Sequence, residues 1–596
     1  MVRALCNLPS ELILLISLEV DTERDLNSLA QTSRRISALV NPVLYRRNVQ
    51  SSDGFVGSAL RWAVSRDLEA TVLKCLAQGA SINLPPASAV PNRDERDVDS
   101  DSYSVDSSWE EDNGDKWSLI CIASENGYDH LLRILLEHGA TPNGYHHPGE
   151  DPVSLAIRKG HDTTVQLLLS QEDIDLDARN NPREVPLYYA LKRGSLELVR
   201  ALLEKGADLA KYESKSYSAL DIAIVSGNQR LVGFLVQQGC KLNGHSLAVA
   251  AKHGLSHLVH YILAHGVDPN AVDRSGETPI GCAARCGYYH VIQILIAEGA
   301  NPDIPDPLGR TPLSGAATGG FSNVVNLLLE NGADPNSQDN EGRTPVIWAA
   351  CTGSVPVLQA LFAHGGLPGL STPDNQSPIS EAARKGHPHV VQLLIDLGVE
   401  IDNKDTTWFR TPLSLAAEGF MMNEDYYVAI VQLLLAHGAD VNSIDRVGDT
   451  PVDRAIRGEQ DKLAELLLRW GAKPKENPKT LLVRIVESGL VRVTRFLLKT
   501  DCDPDVANRD GYTPLMMAAE CGNLEIANLL FDTGKVNIHA CDCSGWTPLA
   551  FASYEGHDEM VKLLIEKGAS PAHQKELERE QRRRVRHPLY DYINIE

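Results

Sequence analysis

An all-α solenoid of about fifteen helix-pair repeats is the fold class that this sequence predicts. The first observation behind it is a fixed period. Between Arg274 and Asp405 the chain repeats itself almost letter for letter, and Pro279, Pro312, Pro345 and Pro378 recur every 33 residues. The second is the punctuation inside each unit. Thr311 stands where a helix N-cap belongs, Pro312 takes the first helical position, where its missing N–H costs nothing, and Gly320 stops the helix. The third is the apolar patterning. Leu313, Ala316 and Ala317 give a short helix a small-residue face, and Val324, Val325 and Leu327 to Leu329 mark a second helix with one apolar stripe that ends at Gly332. One such unit cannot bury its own apolar face, so its neighbours must stack on it.

The unit resembles the ankyrin repeat in its Thr-Pro start, its helix-turn-helix length and its Gly-Ala-Asp turns, such as Gly332-Ala333-Asp334. Units of this kind start near residues 116, 149, 182, 215, 244, 274, 307, 340, 373, 406, 446, 476, 509 and 543, so repeats are expected over 116–575. A degenerate first repeat without the Thr-Pro start occupies 58–83. Two units depart from the period. The one near 406 carries an insertion, FMMNEDYY, which reads as irregular structure between its helices, and the one near 476 has Lys479-Thr480-Leu481 in place of Thr-Pro-Leu. The histidine that the family places after Pro-Leu is replaced by Ser314, Ser380 and Ser414, which leaves its buried hydrogen bonds without their usual donor.

Residues 5–50 do not follow the repeat. Leu8-Pro9 opens a helix with Leu12, Leu15 and Ile16 on one face, Asp25 can cap a second helix bearing Leu26 and Leu29, and a third ends at Asn41-Pro42. LPSEL, DLNSLAQTSRR and LVNPVLYR in this order resemble an F-box. The resemblance implies docking of a Skp-type adaptor through Leu8, Pro9, Leu12, Ile16, Leu26 and Leu29, and makes the chain the substrate-recognition subunit of an SCF-type (cullin–RING) ubiquitin ligase. The other reading of the same three helices is a cover for the first repeat, because end repeats need one.

Composition bounds the function. A net charge of −23 argues against a general nucleic-acid binder or a ligand of anionic membranes. The eleven cysteines are scattered along the chain as small core residues of a reducing compartment, and no apolar run reaches a membrane span, so a monomer of the cytoplasm or nucleus is expected. Residues 84–115 are acidic and Ser-rich, a composition that cannot bury enough to order itself, and Ser107 and Ser108 each precede a glutamate by three residues, as acidophilic kinase sites do. In the segment 576–596, Arg582, Arg583, Arg584 and Arg586 form a basic cluster on a closing helix, which doubles as a candidate import signal.

There is no Walker loop, no G-x-S-x-G and no metalloprotease helix, so no catalytic residue, cofactor or metal is expected. His539, Cys541 and Cys543 lie in a turn with no fourth ligand nearby, and Cys282 and Cys286 share a helix as packing residues do. Binding is expected instead. The ankyrin resemblance implies that the two residues before the inner-helix glycine face a partner: Arg158-Lys159, Lys192-Arg193, Lys252-His253, Arg285 and Arg384-Lys385, then Glu487, Glu520 and Glu555. Arg310, Arg343 and Arg410 precede Thr-Pro, with Trp348 and Trp408 as aromatic anchors and Tyr512 and Trp546 further on. The pattern predicts a basic track for an acidic or phosphorylated segment of a target protein, with the acidic 84–115 segment as a rival occupant. Basic residues also suit a helix C-terminus for dipole reasons alone.

Overall fold

The computed structural model describes residues 58–77, 80, 82–83, 118–143, 151–176, 185–212, 218–419, 423–475, 478–500 and 502–570. The adaptor residues Leu8, Pro9, Leu12, Ile16, Leu26 and Leu29, the acidic 84–115 segment and the basic tail lie outside them. Among the described residues there is no strand, and thirty α-helices run from Ser58–Ser65 to Asp558–Glu566 as successive pairs of a short inner and an outer helix. The contacts divide the chain into two compact units between Ala250 and Ala251.

In the first unit, the inner helices Leu119–Asn126, Pro152–Lys159, Pro186–Arg193 and Ala219–Val225 pack each on the next. Ser58–Ser65 packs directly on Leu119–Asn126, although residues 84–117 come between them in sequence. In the second unit the inner helices from Pro279–Cys286 to Pro451–Arg457 stack in order, as do Pro478–Glu487, Pro514–Glu520 and Pro548–Tyr554. The core lies between the layers of inner and outer helices. Leu313, Ala316, Val324, Val325 and Leu328 are fully buried, and each large aliphatic of this kind contributes about 1.5–3 kcal/mol by leaving water.

Local chemistry fixes the ends of each helix. Thr311 Oγ1 accepts from the Ser314 amide, Pro312 follows it, and Gly320 closes the helix at φ 71°. The family's missing histidine is made good by hydroxyls. Thr311 Oγ1 lies 3.3 Å from Ser314 Oγ and 3.1 Å from Ser337 Oγ, and Thr411 meets Ser414 and Ser443 at 3.2 Å each. All of these but the half-buried Ser337 are buried, and they satisfy one another, which a buried polar group requires.

A hairpin-like finger precedes the inner helices of the second unit other than Pro478–Glu487, and an acidic or polar residue builds it. Asp306 Oδ1 accepts from the amides of Leu308 and Arg310, and its own amide donates to the Arg310 carbonyl at 2.9 Å. Asp273, Asp339, Asp445 and Asp542 do the same in their repeats. Gly309 turns the finger at φ 78°, and a Cβ there would meet the Asn340 amide nitrogen at 2.7 Å, so the adjacent finger excludes any side chain.

Residues 423–427 of the insertion near 420 depart from the irregular structure expected there. Asn423 caps a helix, Glu424–Ala436, of 13 residues, so the outer helix gains a turn at its start. Glu424 and Asp425 suit the positive end of that helix, and Tyr427 is buried, its hydroxyl donating to the Arg384 carbonyl at 3.2 Å.

Candidate functional site

In three fingers the residue before the N-cap threonine meets the end of its own inner helix, eight positions on. Glu277 meets Arg285 at 2.5 Å, Arg410 meets Glu418 at 3.5 Å, and Asp449 meets Arg457 at 2.6 Å. These pairs form polar rungs along the inner-helix ends of the second unit. Other rungs draw the acid from the finger base, with Arg310 on Asp306 at 2.7 Å and Arg343 on Asp339 at 2.9 Å.

The predicted basic residues therefore sit largely in ion pairs. In the first unit Arg158 and Lys159 approach Glu125 at 3.8 and 3.1 Å, and Arg193 meets Asp162 at 2.5 Å. In the second, Arg285 is held by Glu277 and Arg384 by Glu381. Lys192 and Lys385 have no acidic partner within ion-pair distance among the described residues. The neutralising acids went unremarked in the sequence, yet two had a signal: Glu277 stands eight residues before Arg285, and Glu381 three before Arg384 on one helix face.

The most buried rung is a network. Arg454, 11% exposed, donates to Asp445, 1% exposed, and reaches Glu418 at 3.2 Å, which also takes Arg410. Burial pushes the Asp445 carboxyl up. The Arg454 guanidinium and the amides of Asp449 and Val447 outweigh burial and hold it below the usual carboxylate range.

The aromatic anchors differ from each other. Trp348 is half-buried beneath the Arg343 guanidinium, 4.1 Å from its ring centroid, so the side chain is a shelf for that arginine. Trp408 is 46% exposed at a fingertip. Its finger is one residue longer than the others, and Phe409, 48% exposed, takes the glycine's place at φ 55°. A phenylalanine in the left-handed region costs about 1–2 kcal/mol. Arg446 fixes the tip, with its amide donating to the Trp408 carbonyl at 2.8 Å and its guanidinium to the Thr407 carbonyl at 3.2 Å. Lys404, at the finger base, donates to the Ile444 carbonyl.

The crevice between Glu277, Arg285 and Arg310 measures about 40 Å³, far below the roughly 300 Å³ at which small-molecule sites begin. Burial, then Glu381, pushes the Cys351 thiol up to about 12, and burial alone takes Cys75 to about 11, so these thiols are held protonated. Among the described residues no group of histidine, cysteine and carboxylate side chains is arranged to hold a metal, and no helix is long and apolar enough to cross a membrane.

Stacked helix pairs that present fingers and polar rungs define a protein–protein interaction module. The ankyrin-repeat family matches residues 60–180, 173–245, 247–339, 316–405, 379–478 and 482–575, and the chain belongs to it. Among its relatives, the B-cell lymphoma 3 protein homolog of Mus musculus is 30% identical over 25% of this chain and 36% of its own length. Rabankyrin-5 of Mus musculus is 25% identical over 38% and 19%, and the E3 ubiquitin-protein ligase KEG of Arabidopsis thaliana 35% identical over 17% and 7%. The chain thus spans about a third or less of the length of these curated relatives.

Proposed function

We propose that this chain is a recognition subunit whose repeats hold a target protein while residues 5–50 dock the Skp-type adaptor of a cullin–RING ubiquitin ligase. The observation that carries target binding is the Trp408–Phe409 fingertip. It keeps two aromatic rings in water on a backbone conformation unfavourable for phenylalanine, and such strain persists where a function retains it. Lys404 and Arg446 flank the tip, so an acidic or phosphorylated segment is the matching ligand. The ion pairs cancel most of the basic row's own field, and the reading rests on this tip, together with Lys385 of the same unit.

The ligase half rests on the sequence LPSEL with DLNSLAQTSRR and LVNPVLYR. In this role the chain makes and breaks no bond. It raises the effective concentration of target lysines at the ligase, and tethering of this kind reaches roughly millimolar values over short linkers. A scaffold without ligase function, its first helices covering the solenoid, is the competing reading, and one experiment separates them. Co-precipitation of the Skp adaptor from cells expressing the full chain should be lost on combining Leu8→Ala with Pro9→Ala, with thermal unfolding of the repeats unchanged. Retained adaptor binding in that variant would remove the ligase role. Trp408→Ala with Arg446→Glu should lower capture of targets found by proximity labelling at least tenfold, since aromatic anchors dominate interfaces of this kind.

A further inference from the structure

The last repeats differ from the charged rungs before them. In the positions that hold Glu277–Arg285 and Asp449–Arg457, the chain has Tyr512 with Glu520 and Trp546 with Tyr554. No basic side chain pairs with Glu520, nor with Glu487 and Glu555 at the neighbouring inner-helix ends, among the described residues. Glu487 and Glu555 are exposed, and Glu520 is half-buried. Pro514–Glu520 packs on both Pro478–Glu487 and Pro548–Tyr554, which sets the ends of the three inner helices side by side, and burial, then Glu555, then Glu487 drive the Glu520 carboxyl above its ordinary value.

Beside these acids lies an aromatic platform. Phe551, 7% exposed, is its floor, with Tyr512 and Trp546 each 5.3 Å from it between ring centroids. Tyr554 stands edge-on to Trp546 at 5.3 Å and is 75% exposed, the most exposed large hydrophobic side chain in the described structure. Tyr554 directly precedes Glu555 in the chain, which joins the rings to the acids, and burial, then Glu520, raises the Tyr512 hydroxyl. Uncompensated carboxylates next to the faces of tyrosine and tryptophan suit a guanidinium or ammonium group, which pairs with the first and stacks on the second.

We infer that this face, built from Glu487, Glu520 and Glu555 with Tyr512, Trp546 and Tyr554, is a second docking surface, for an arginine- or lysine-rich segment of a partner protein. It is opposite in charge preference to the Trp408 fingertip and depends on neither that site nor the adaptor reading. Charge complementarity selects the occupant: the six residues are carboxylates and rings with no cation among them, so an acidic or phosphorylated segment is repelled from them.

Fluorescence anisotropy on the full chain tests this, with a labelled twelve-residue peptide of repeating Arg-Gly-Leu as probe and the matched Glu-Gly-Leu peptide as control. The arginine probe should bind and the control should not. Exposed pairs are worth about a factor of two to five each, so Glu487→Gln, Glu520→Gln and Glu555→Gln together should weaken binding about tenfold or more and flatten its salt dependence. Tyr554→Ala alone, on a side chain too exposed to matter for folding, should weaken it about tenfold at every salt concentration. Trp408→Ala should leave the probe's affinity unchanged, which separates this surface from the target site. Equal binding of both peptides, or full affinity in the triple glutamine variant, would overturn the assignment. A tenfold gain on changing Arg582, Arg583, Arg584 and Arg586 to glutamine would show the chain's own tail to be the occupant, and would overturn the assignment to a partner.

Discussion

Replacing Arg454 by methionine should open its finger, and the structure sets the size of the effect. The guanidinium is 11% exposed and the two carboxylates it holds, Asp445 and Glu418, are 1% and 20% exposed. Removing one partner of a buried pair leaves an uncompensated charge, at a cost of about 3–5 kcal/mol. In a long repeat array a global unfolding energy is poorly defined, so the readout should be local. The amides of Val447 and Asp449 donate to Asp445 Oδ1 at 2.9 Å, and their hydrogen exchange reports opening of the finger. At pH 7, Arg454→Met should speed that exchange over the wild type by about 10² to 10⁴. The gap should narrow on acidification, for a reason of sign. The folded Asp445 carboxyl titrates below its unfolded value, so its stabilisation is full above about pH 3.9 and is lost only as pH falls through the lower folded value. Without Arg454 burial prevails, the carboxyl is raised, and protonation on the way down from neutral pH relieves the variant first. Changing Asp445→Asn and Glu418→Gln as well should recover most of the protection, since no charge is then left unpaired. A ratio under tenfold at pH 7, or one that stays flat from pH 7 to pH 4.5, would refute the view that this rung is held by its ion pairs.

Leu328→Ala, at a side chain of 0% exposure, should destabilise its repeat by about 2–5 kcal/mol, read as a lower urea midpoint for the second unit. Thr411→Ala removes a cap that accepts from the Ser414 amide and bonds Ser443 in the following turn, and should cost about 1–2 kcal/mol in the same measurement. Iodoacetamide should label the exposed Cys541 and Cys543 within minutes and leave Cys75, Cys121 and Cys282 untouched until denaturant is added, as mass spectrometry would show.

What the sequence determined by itself was the repeat. The capping threonine, the proline after it and the glycine at positive φ act within a few residues, and the apolar stripes state which face must be covered, so helix ends and stacking order follow from local chemistry. It also placed Trp408 and the inner-helix ends. The tertiary structure decided what those residues do. Arg285 and Arg193 read as free charges until the fold brought Glu277 and Asp162 to them from 8 and 31 residues away. Trp348 and Trp408 read alike, and only packing made one a shelf for Arg343 and the other a ring in water. The polar letters NEDYY suggested a loop until Tyr427 found a buried place against the Arg384 carbonyl of the preceding repeat, which no local pattern encodes. The common reason is range: caps and turns are settled between near neighbours, whereas the charge and exposure of the candidate surface depend on groups of other elements, in the same repeat or the next, that only the fold brings together.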